Sequence, residues 1–264
     1  MRSGLKTDFF SPPPPRAIAH RGGGGNRPEN TPEAFAAAYQ AGSRYFELDV
    51  HTSRDGLLVV CHDPDLERTT DLTGTIRELS YAEIARGDAG YRFANDLGEF
   101  PFRGAGIRVP TLNDILGMFD DTFFVIEIKQ TDPSLTAALN QALTTTGTRR
   151  RVLIASEHQQ PLDEVRAMAP ELPTSFSARE IAVFFAALTQ GMKGYRAPAD
   201  ALQIPVTWDQ MLLATPASVA AVHDLGIEAH VWTINEEAEM RDLLALGADG
   251  ILTDYPARLF SVIA

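Results

Sequence analysis

Short apolar segments alternate with helix-like segments along most of the chain, and this alternation is the strongest constraint on its fold. Nine segments have the length and residue content of strands: residues 17–20, 44–50, 57–61, 123–129, 152–156, 174–177, 201–206, 229–235 and 250–256. Such alternation is typical of an α/β fold, and we predict a (β/α)8 TIM barrel. A barrel has eight places for these nine candidates, and segment 57–61 returns antiparallel to its neighbour. We therefore expect the barrel to be irregular at that segment.

Two carboxylates on one predicted strand suggest a metal site. Because residues two apart on a strand point to the same side, Glu47 and Asp49 share a face. Asp55-Gly56 predicts a two-residue turn, and a turn that closes directly would place His62 opposite Asp49. Like charges this close raise each other's pKa unless a cation lies between them. We interpret the patch as a candidate metal site, and the alternative is a solvated strand face whose charges are paired elsewhere.

Further polar residues stand at the carboxyl ends of predicted strands, where barrels carry their active sites. They are His20, Glu127 with Lys129, and Trp232 with Asn235. Glu127 and Lys129 share a face of an otherwise apolar strand, and burying a charged pair is costly without a purpose. A structural ion pair is the alternative. The glycine loop at residues 22–25 permits close backbone approach to a ligand, but its spacing matches no dinucleotide or P-loop motif.

The chain is expected to form one domain over residues 17–264, after a loose arm at residues 1–16. This arm contains Pro12 to Pro15 and has no secretory signal. Residues 64–108 interrupt the alternation with turn signals and scattered aromatic side chains. We predict that they form an inserted cap subdomain, folded as a lid over one mouth of the barrel.

The run from Ile181 to Leu188 is apolar on almost every side. A buried core helix is the first interpretation of so short a run. An exposed surface that accepts lipid chains is the alternative interpretation.

Charge and cysteine content limit the classes of partner. The net charge of −12 argues against binding to nucleic acid or to an anionic membrane surface. No segment has the length of an integral membrane span. The single Cys61 excludes an internal disulfide and suits a reducing compartment, so we expect a cytoplasmic protein. The sequence predicts no particular oligomeric state.

Seven motifs, in order along the chain, resemble those of the glycerophosphodiester phosphodiesterase family. They are His20-Arg21-Gly22, Pro28-Glu29-Asn30-Thr31, Glu47-Leu48-Asp49-Val50, His62-Asp63, Glu127-Ile128-Lys129, Val231-Trp232-Thr233-Ile234-Asn235 and Gly250-Ile251-Leu252-Thr253-Asp254-Tyr255-Pro256. The resemblance spans nearly the whole chain from residue 17, and residues 64–108 correspond to the family's inserted subdomain. It implies a PLC-like phosphodiesterase barrel, one divalent cation, Mg²⁺ or Ca²⁺, and hydrolysis of a glycerophosphodiester to sn-glycerol 3-phosphate and an alcohol.

The same resemblance implies a role for each matching residue. His20 and His62 would be the catalytic general acid and base, and the metal ligands would be Glu47, Asp49 and Glu127. Substrate binding would fall to Arg21 and Lys129, which would hold the phosphate, and to Trp232, which would form a wall for the glycerol end. Asn30 would support the glycine loop from behind. The sequence does not decide whether water or the glycerol 2-hydroxyl attacks first.

Two other functions stay open. A lysophospholipase D or sphingomyelinase D-like enzyme would use the same histidines on lysophospholipids, and the aromatic insertion and the apolar run at 181–188 favour it. A catalytically silent barrel that serves as a binding module would lack a catalytic position, and none is missing from this sequence.

Overall fold

The computed structural model describes residues 7–264, which contain ten strands and nine α-helices. The strands are β1 Arg16–Ala19, β2 Tyr45–Thr52, β3 Leu58–Val60, β4 Phe123–Ile128, β5 Val152–Ala155, β6 Ala201–Pro205, β7 Thr207–Trp208, β8 Met211–Leu212, β9 Glu228–Trp232 and β10 Gly250–Thr253. The helices are α1 Pro32–Gln40, α2 Tyr81–Ile84, α3 Leu112–Leu116, α4 Thr136–Thr145, α5 Gln159–Met168, α6 Ala178–Thr189, α7 Pro216–Asp224, α8 Glu237–Leu246 and α9 Pro256–Ile263.

Seven parallel strands and one short bridging segment close the predicted barrel. The strands follow one another in the order β5, β4, β2, β1, β10, β9 and β6. Thr174 bridges Ile154 of β5, and the adjacent Ser175 bridges Ala201 of β6, so this short segment fills the eighth place. The (β/α)8 prediction is therefore confirmed. The ninth candidate is β3, which pairs with β2 and runs antiparallel to it, as expected.

The alternation along β2 decides which side chains enter the barrel. Phe46, Leu48 and Val50 belong to the apolar core between the barrel and the surrounding helices. The intervening residues Glu47 and Asp49 point the other way, into the barrel. The strand is buried on both faces, so its carboxylates are held away from bulk water.

The predicted pairing of His62 with Asp49 is wrong by one residue. Val50 pairs with Val60, which places Cys61 opposite Asp49, and the Cys61 N–H donates to the Asp49 carbonyl at 3.0 Å. The cause is a three-residue loop in place of the expected two-residue turn, since the Ser53 N–H donates to the Leu57 carbonyl. Gly56 ends this loop with φ +83°, as a longer hairpin of this kind requires.

The loose arm predicted for residues 1–16 is wrong for residues 7–16, while residues 1–6 lie outside the described part of the chain. Phe9 is fully buried and packs edge-on against Tyr45 at 5.2 Å between ring centroids. The Tyr45 hydroxyl donates to the Phe9 carbonyl at 2.8 Å. Four consecutive prolines suggested an extended arm, but the aromatic residues before them supply apolar area that buries well.

Arg16 anchors this segment at the amino-terminal end of the barrel. Its side chain is 1% exposed and donates two hydrogen bonds to Glu228, at 2.7 and 2.6 Å. It also donates to the Pro12 carbonyl and to the Tyr45 hydroxyl. The N-terminal segment thus covers the end of the barrel where the strands begin, opposite the predicted active site.

The insertion at residues 64–108 has a small apolar core of its own. Five of its buried side chains form one apolar cluster with Val59, Cys61 and Val109, which lie at its base. They are Leu66, Ile76, Ile84, Ala89 and Ile107. The chain returns to β3 at Pro110, whose carbonyl accepts from the Val60 N–H at 3.0 Å. Its ends therefore attach beside the carboxyl half of β2, and a lid function for it stays a prediction.

Helix α6 contains the apolar run at 181–188 and is not the buried core helix that was our first interpretation. Phe184 is its single fully buried residue, and Val183 is 53% exposed. The helix lies on the outside of the barrel and packs through one face. Across residues 7–264, no helix combines the length and hydropathy that crossing a lipid bilayer demands.

Candidate active site

Three carboxylates from two neighbouring strands converge inside the barrel. Glu47 and Asp49 come from β2, and Glu127 comes from β4, where it pairs in register with Asp49. Each of the three offers an oxygen within 4.8 Å of the others. The structure thus brings together the three predicted metal-binding residues.

Burial makes this group of charges expensive. Glu47 is 3% exposed, and burial together with the charge of Asp49 raises its pKa to about 8. Burial also raises the pKa of Glu127, although Lys129 opposes the effect. Asp49 behaves differently, since the charges of Lys129 and Arg21 outweigh its burial and lower its pKa. At neutral pH, therefore, the group favours holding a proton on Glu47 unless a cation joins it.

The two predicted phosphate-binding cations lie against these carboxylates. Lys129 Nζ lies 2.9 Å from Glu127 Oε1 and 3.2 Å from Asp49 Oδ1. Arg21 Nε lies 3.5 Å from Asp49 Oδ2, and the Arg21 backbone N–H donates to Glu47 at 2.9 Å. Arg21 has φ +50°, in the sparsely populated left-handed region, where strained residues are often found at functional sites.

Asn30 connects the glycine loop to the metal-binding candidates. Its side-chain amide donates to Asp49 Oδ2 at 2.9 Å, and its backbone N–H donates to the Arg21 carbonyl at 2.8 Å. Asn30 therefore contacts a candidate metal ligand directly, and its predicted support of the glycine loop stays a prediction.

His20 is oriented by a carboxylate from the last strand of the barrel. Its Nδ1 lies 2.7 Å from Asp254 Oδ1, and because a carboxylate can only accept, Nδ1 carries the proton. Asn235 holds Asp254 with hydrogen bonds of 2.8 and 2.9 Å. His20 Nε2 faces Glu47 at 3.9 Å. Although burial lowers the pKa of His20, the Asp254 hydrogen bond and the Glu47 charge raise it above its ordinary value.

His62 has the same arrangement with a carboxylate that follows it in sequence. Its Nδ1 lies 2.6 Å from Asp63 Oδ1. Its backbone carbonyl accepts a hydrogen bond from Nε2 of the buried His51 at 3.0 Å. Both predicted catalytic histidines thus have Nδ1 fixed by a carboxylate, which leaves Nε2 available for proton exchange.

Arg68 of the insertion joins the two halves of the site. It donates to Asp63 Oδ2, and it forms a bidentate pair with Glu29 at 2.8 and 2.7 Å. Glu29 in turn accepts from Arg21 at 2.8 Å. One guanidinium therefore connects the carboxylate behind His62 with the carboxylate behind Arg21.

Trp232 lies at the carboxyl end of β9, at the same end of the barrel as the other predicted residues. It is partly buried and packs with the apolar cluster inside the barrel. This position suits a wall beside the charged group.

Several residues of the site received no role from the sequence. Asp63, Asp254 and Glu29 lie within the matched motifs, whereas Arg68 and His51 lie outside them. Closure of the predicted barrel was a usable signal for Asp254, because a closed barrel pairs its first strand with its last. In the structure Ala19 of β1 pairs with Thr253 of β10. The residues that follow this pair, His20 and Asp254, must therefore be neighbours.

The donor set fits a hard divalent cation. Carboxylate oxygens are the preferred ligands of Mg²⁺ and Ca²⁺. The buried Asp49 Oδ1 accepts no hydrogen bond of good geometry, despite its proximity to Lys129. A buried oxygen without a donor, beside a glutamate whose pKa is raised, is what a cation would stabilise.

The barrel and this site have counterparts among known proteins. The model of the glycerophosphoryl diester phosphodiesterase family matches residues 20–258. A glycerophosphodiester phosphodiesterase from Caldanaerobacter subterraneus subsp. tengcongensis is 30% identical over 253 residues, covering 93% of this chain and 96% of the relative. Lysophospholipase D GDPD1 of Mus musculus is 26% identical over 272 residues, covering 92% and 84%.

A solved structure gives the same fold. It is an Oleispira antarctica phosphodiesterase in complex with the product sn-glycerol-3-phosphate, with 26% identity and a TM-score of 0.77. The match covers 95% of this chain and 97% of that one. Because the family match includes every predicted catalytic and metal-binding position, the chain belongs to the glycerophosphoryl diester phosphodiesterase family and is a phosphoric diester hydrolase.

Proposed function

We propose that the protein hydrolyses glycerophosphodiesters to sn-glycerol 3-phosphate and an alcohol with the help of one divalent cation, Mg²⁺ or Ca²⁺. The observation that carries the proposal is the pair of histidines, each with a carboxylate on Nδ1, beside three converging carboxylates. The names of the bacterial relative and the product bound to the Oleispira antarctica structure support this substrate class.

The histidines act as the acid and base of the reaction. A carboxylate on Nδ1 fixes the ring and leaves Nε2 to exchange protons with substrate. The raised pKa of His20 favours its protonated form, which suits protonation of the leaving alkoxide. His62 removes the proton from the attacking oxygen, which belongs either to water or to the glycerol 2-hydroxyl. Attack by the hydroxyl gives a cyclic phosphate, which water then opens to sn-glycerol 3-phosphate.

Glu47, Asp49 and Glu127 would hold the cation, which when bound would offset negative charge on the phosphate oxygens. Arg21 and Lys129 lie beside these carboxylates, and both can donate to the phosphate. Asn30 keeps Asp49 in position through its amide. Trp232 excludes water along one wall.

A second candidate is lysophospholipase D activity on the same site. It is favoured by the Mus musculus relative of that name and by large apolar side chains that are exposed on the β7–β8 hairpin. The bond cleaved is the same, and the two substrate classes differ in the glycerol part that stays on the phosphate, which carries an acyl chain in a lysophospholipid. A catalytically silent barrel is disfavoured because every predicted catalytic position carries a suitable side chain.

Turnover of glycerophosphocholine and lysophosphatidylcholine, after chelation and re-addition of each cation, tests both candidates. We expect release of glycerol 3-phosphate that depends on the cation. His20→Ala and His62→Ala should each lower kcat by about 10²-fold or more. The matched control is His223→Ala, an exposed histidine of α7 that pairs with Asp249. Near-full activity of His20→Ala or of His62→Ala would refute the role of that histidine, and full activity without cation would refute the proposed metal site.

A further inference from the structure

The segment that follows β6 forms a projecting hairpin, residues 207–212, which we call the apolar arm. Thr207 pairs with Leu212, and Trp208 pairs with Met211. All six residues are exposed, and Trp208, Met211 and Leu212 are 59%, 53% and 55% exposed. Because directly paired residues share a face, Trp208 and Met211 form one apolar side and Leu212 lies on the other.

The arm is poorly suited to stand alone in water. An isolated two-stranded hairpin is at best marginally stable, and this one has no further strand in the described structure to cover it. Its turn places Asp209 and Gln210 at φ 44° and 67°, in the left-handed region that glycine or asparagine usually occupies. Exposure of large apolar side chains on such a projection is typical of a contact surface.

The arm leaves the barrel at the end that carries the active site. It begins two residues after Pro205, at the carboxyl end of β6, and Pro205 pairs with Trp232 of β9. Trp232 is the proposed wall of the substrate site. A molecule whose phosphodiester lies among the carboxylates could therefore extend past Trp232 toward the arm.

Charge and surface area decide which kind of partner could cover the apolar arm. A second copy of the chain would need about 800 Å² of surface on each partner, far more than six residues offer. An anionic membrane is disfavoured by the net charge of −12 and by Asp209 at the tip. A zwitterionic lipid surface carries no such penalty, and tryptophan prefers the boundary between water and lipid.

We propose that the apolar arm inserts into zwitterionic phospholipid surfaces and so brings lysophospholipid substrates to the site beside Trp232. This inference rests on the proposed phosphodiesterase function and names the physical form of one substrate class. It requires no change in the chemistry, because the arm contacts the acyl chains and the carboxylates contact the phosphate.

Fluorescence gives a direct test, since the chain has two tryptophans, Trp208 and Trp232. In the Trp232→Phe variant Trp208 is the sole tryptophan, and excitation at the red edge of the absorption band selects it over the tyrosines. Its emission should shift to shorter wavelength on addition of phosphatidylcholine vesicles, because the indole leaves water. Unchanged emission overturns the proposal.

Co-sedimentation of the full chain with the same vesicles is the second test. Combined Trp208→Ser and Met211→Ser substitutions should lower the bound fraction about tenfold, since both large apolar side chains of one face are lost. Met168→Ser is the matched control, because Met168 is 49% exposed at the carboxyl end of α5, where the chain returns to the amino-terminal end of the barrel. Equal binding by the double variant, or preference for phosphatidylglycerol vesicles, overturns the proposal.

Turnover separates failure of the arm from failure of the proposed function. Glycerophosphocholine has no acyl chain, so the double variant should cleave it at the wild-type rate, which also shows that it is folded. Its rate on micellar lysophosphatidylcholine should fall about tenfold. If the double variant matches the wild-type rate on both substrates, the role of the arm is overturned and the phosphodiesterase function stands. Vesicle binding by a wild-type protein that cleaves neither substrate refutes the phosphodiesterase instead.

Discussion

Glu47→Gln should stabilise the protein when no divalent cation is present. Glu47 lies beside Asp49, and its pKa of about 8 compares with an ordinary value of 4.5. Between these two values the unfolded chain releases a proton that the folded protein retains. When the pKa of an acidic side chain is higher in the folded protein than in the unfolded chain, stability therefore falls as pH rises between the two pKa values.

The magnitude follows from the size of the shift. A difference of one bound proton changes the free energy of unfolding by about 1.4 kcal/mol per pH unit. Across the window from pH 4.5 to about 8, the wild-type protein should lose about 5 kcal/mol relative to Glu47→Gln. Glutamine cannot ionise, so the variant lacks this loss.

Urea unfolding in a chelating buffer, at intervals from pH 5 to pH 8.5, measures the effect. The free-energy difference between the variant and the wild type should grow with pH and level off above pH 8. Glu239→Gln, an exposed position on α8, is the control and should run parallel to the wild type. Saturating Mg²⁺ or Ca²⁺ should reverse the order, because the wild type gains binding energy that the variant loses. A difference independent of pH would refute the electrostatic reasoning.

Three further outcomes test other parts of the structure. Asp254→Asn should lower the pKa of His20, so the alkaline limb of the pH profile of kcat should move to lower pH. An alkaline limb at the wild-type pH would show that Asp254 does not act through His20. Arg68→Ala should lower kcat more than Arg68→Lys does, while Arg54→Ala, which breaks an exposed pair with Glu83, should leave kcat unchanged. Phe9→Ala should cost about 3–5 kcal/mol in urea unfolding with kcat retained; a cost below 1 kcal/mol would mean that the N-terminal segment is not part of the core.

The parts of the site that follow strand geometry could be predicted from the sequence. Alternation alone puts Glu47 and Asp49 on one face, and Glu127 lies at the matching height of the neighbouring strand. These relations depend only on the period of a strand and on the parallel order of a barrel. The resemblance to the family then supplied the chemical roles.

The remaining features depend on choices that local sequence does not determine. Asp55-Gly56 is compatible with loops of two or three residues, and this difference of one residue moved His62 out of register with Asp49. The apolar run of α6 does not reveal that only one face of it packs. Phe9 looked like part of a loose arm because its partner Tyr45 lies 36 residues away.

The bond between His20 and Asp254 spans 234 positions of the chain. The three carboxylates are complete once β4 has been synthesised, but the partner of His20 arrives only with β10, beside β1. A ribosome-bound chain that lacks β10 therefore has its three converging carboxylates but not the carboxylate that orients His20. Phosphodiester cleavage should begin only when the last strand has joined the first, so catalytic competence reports closure of the ring.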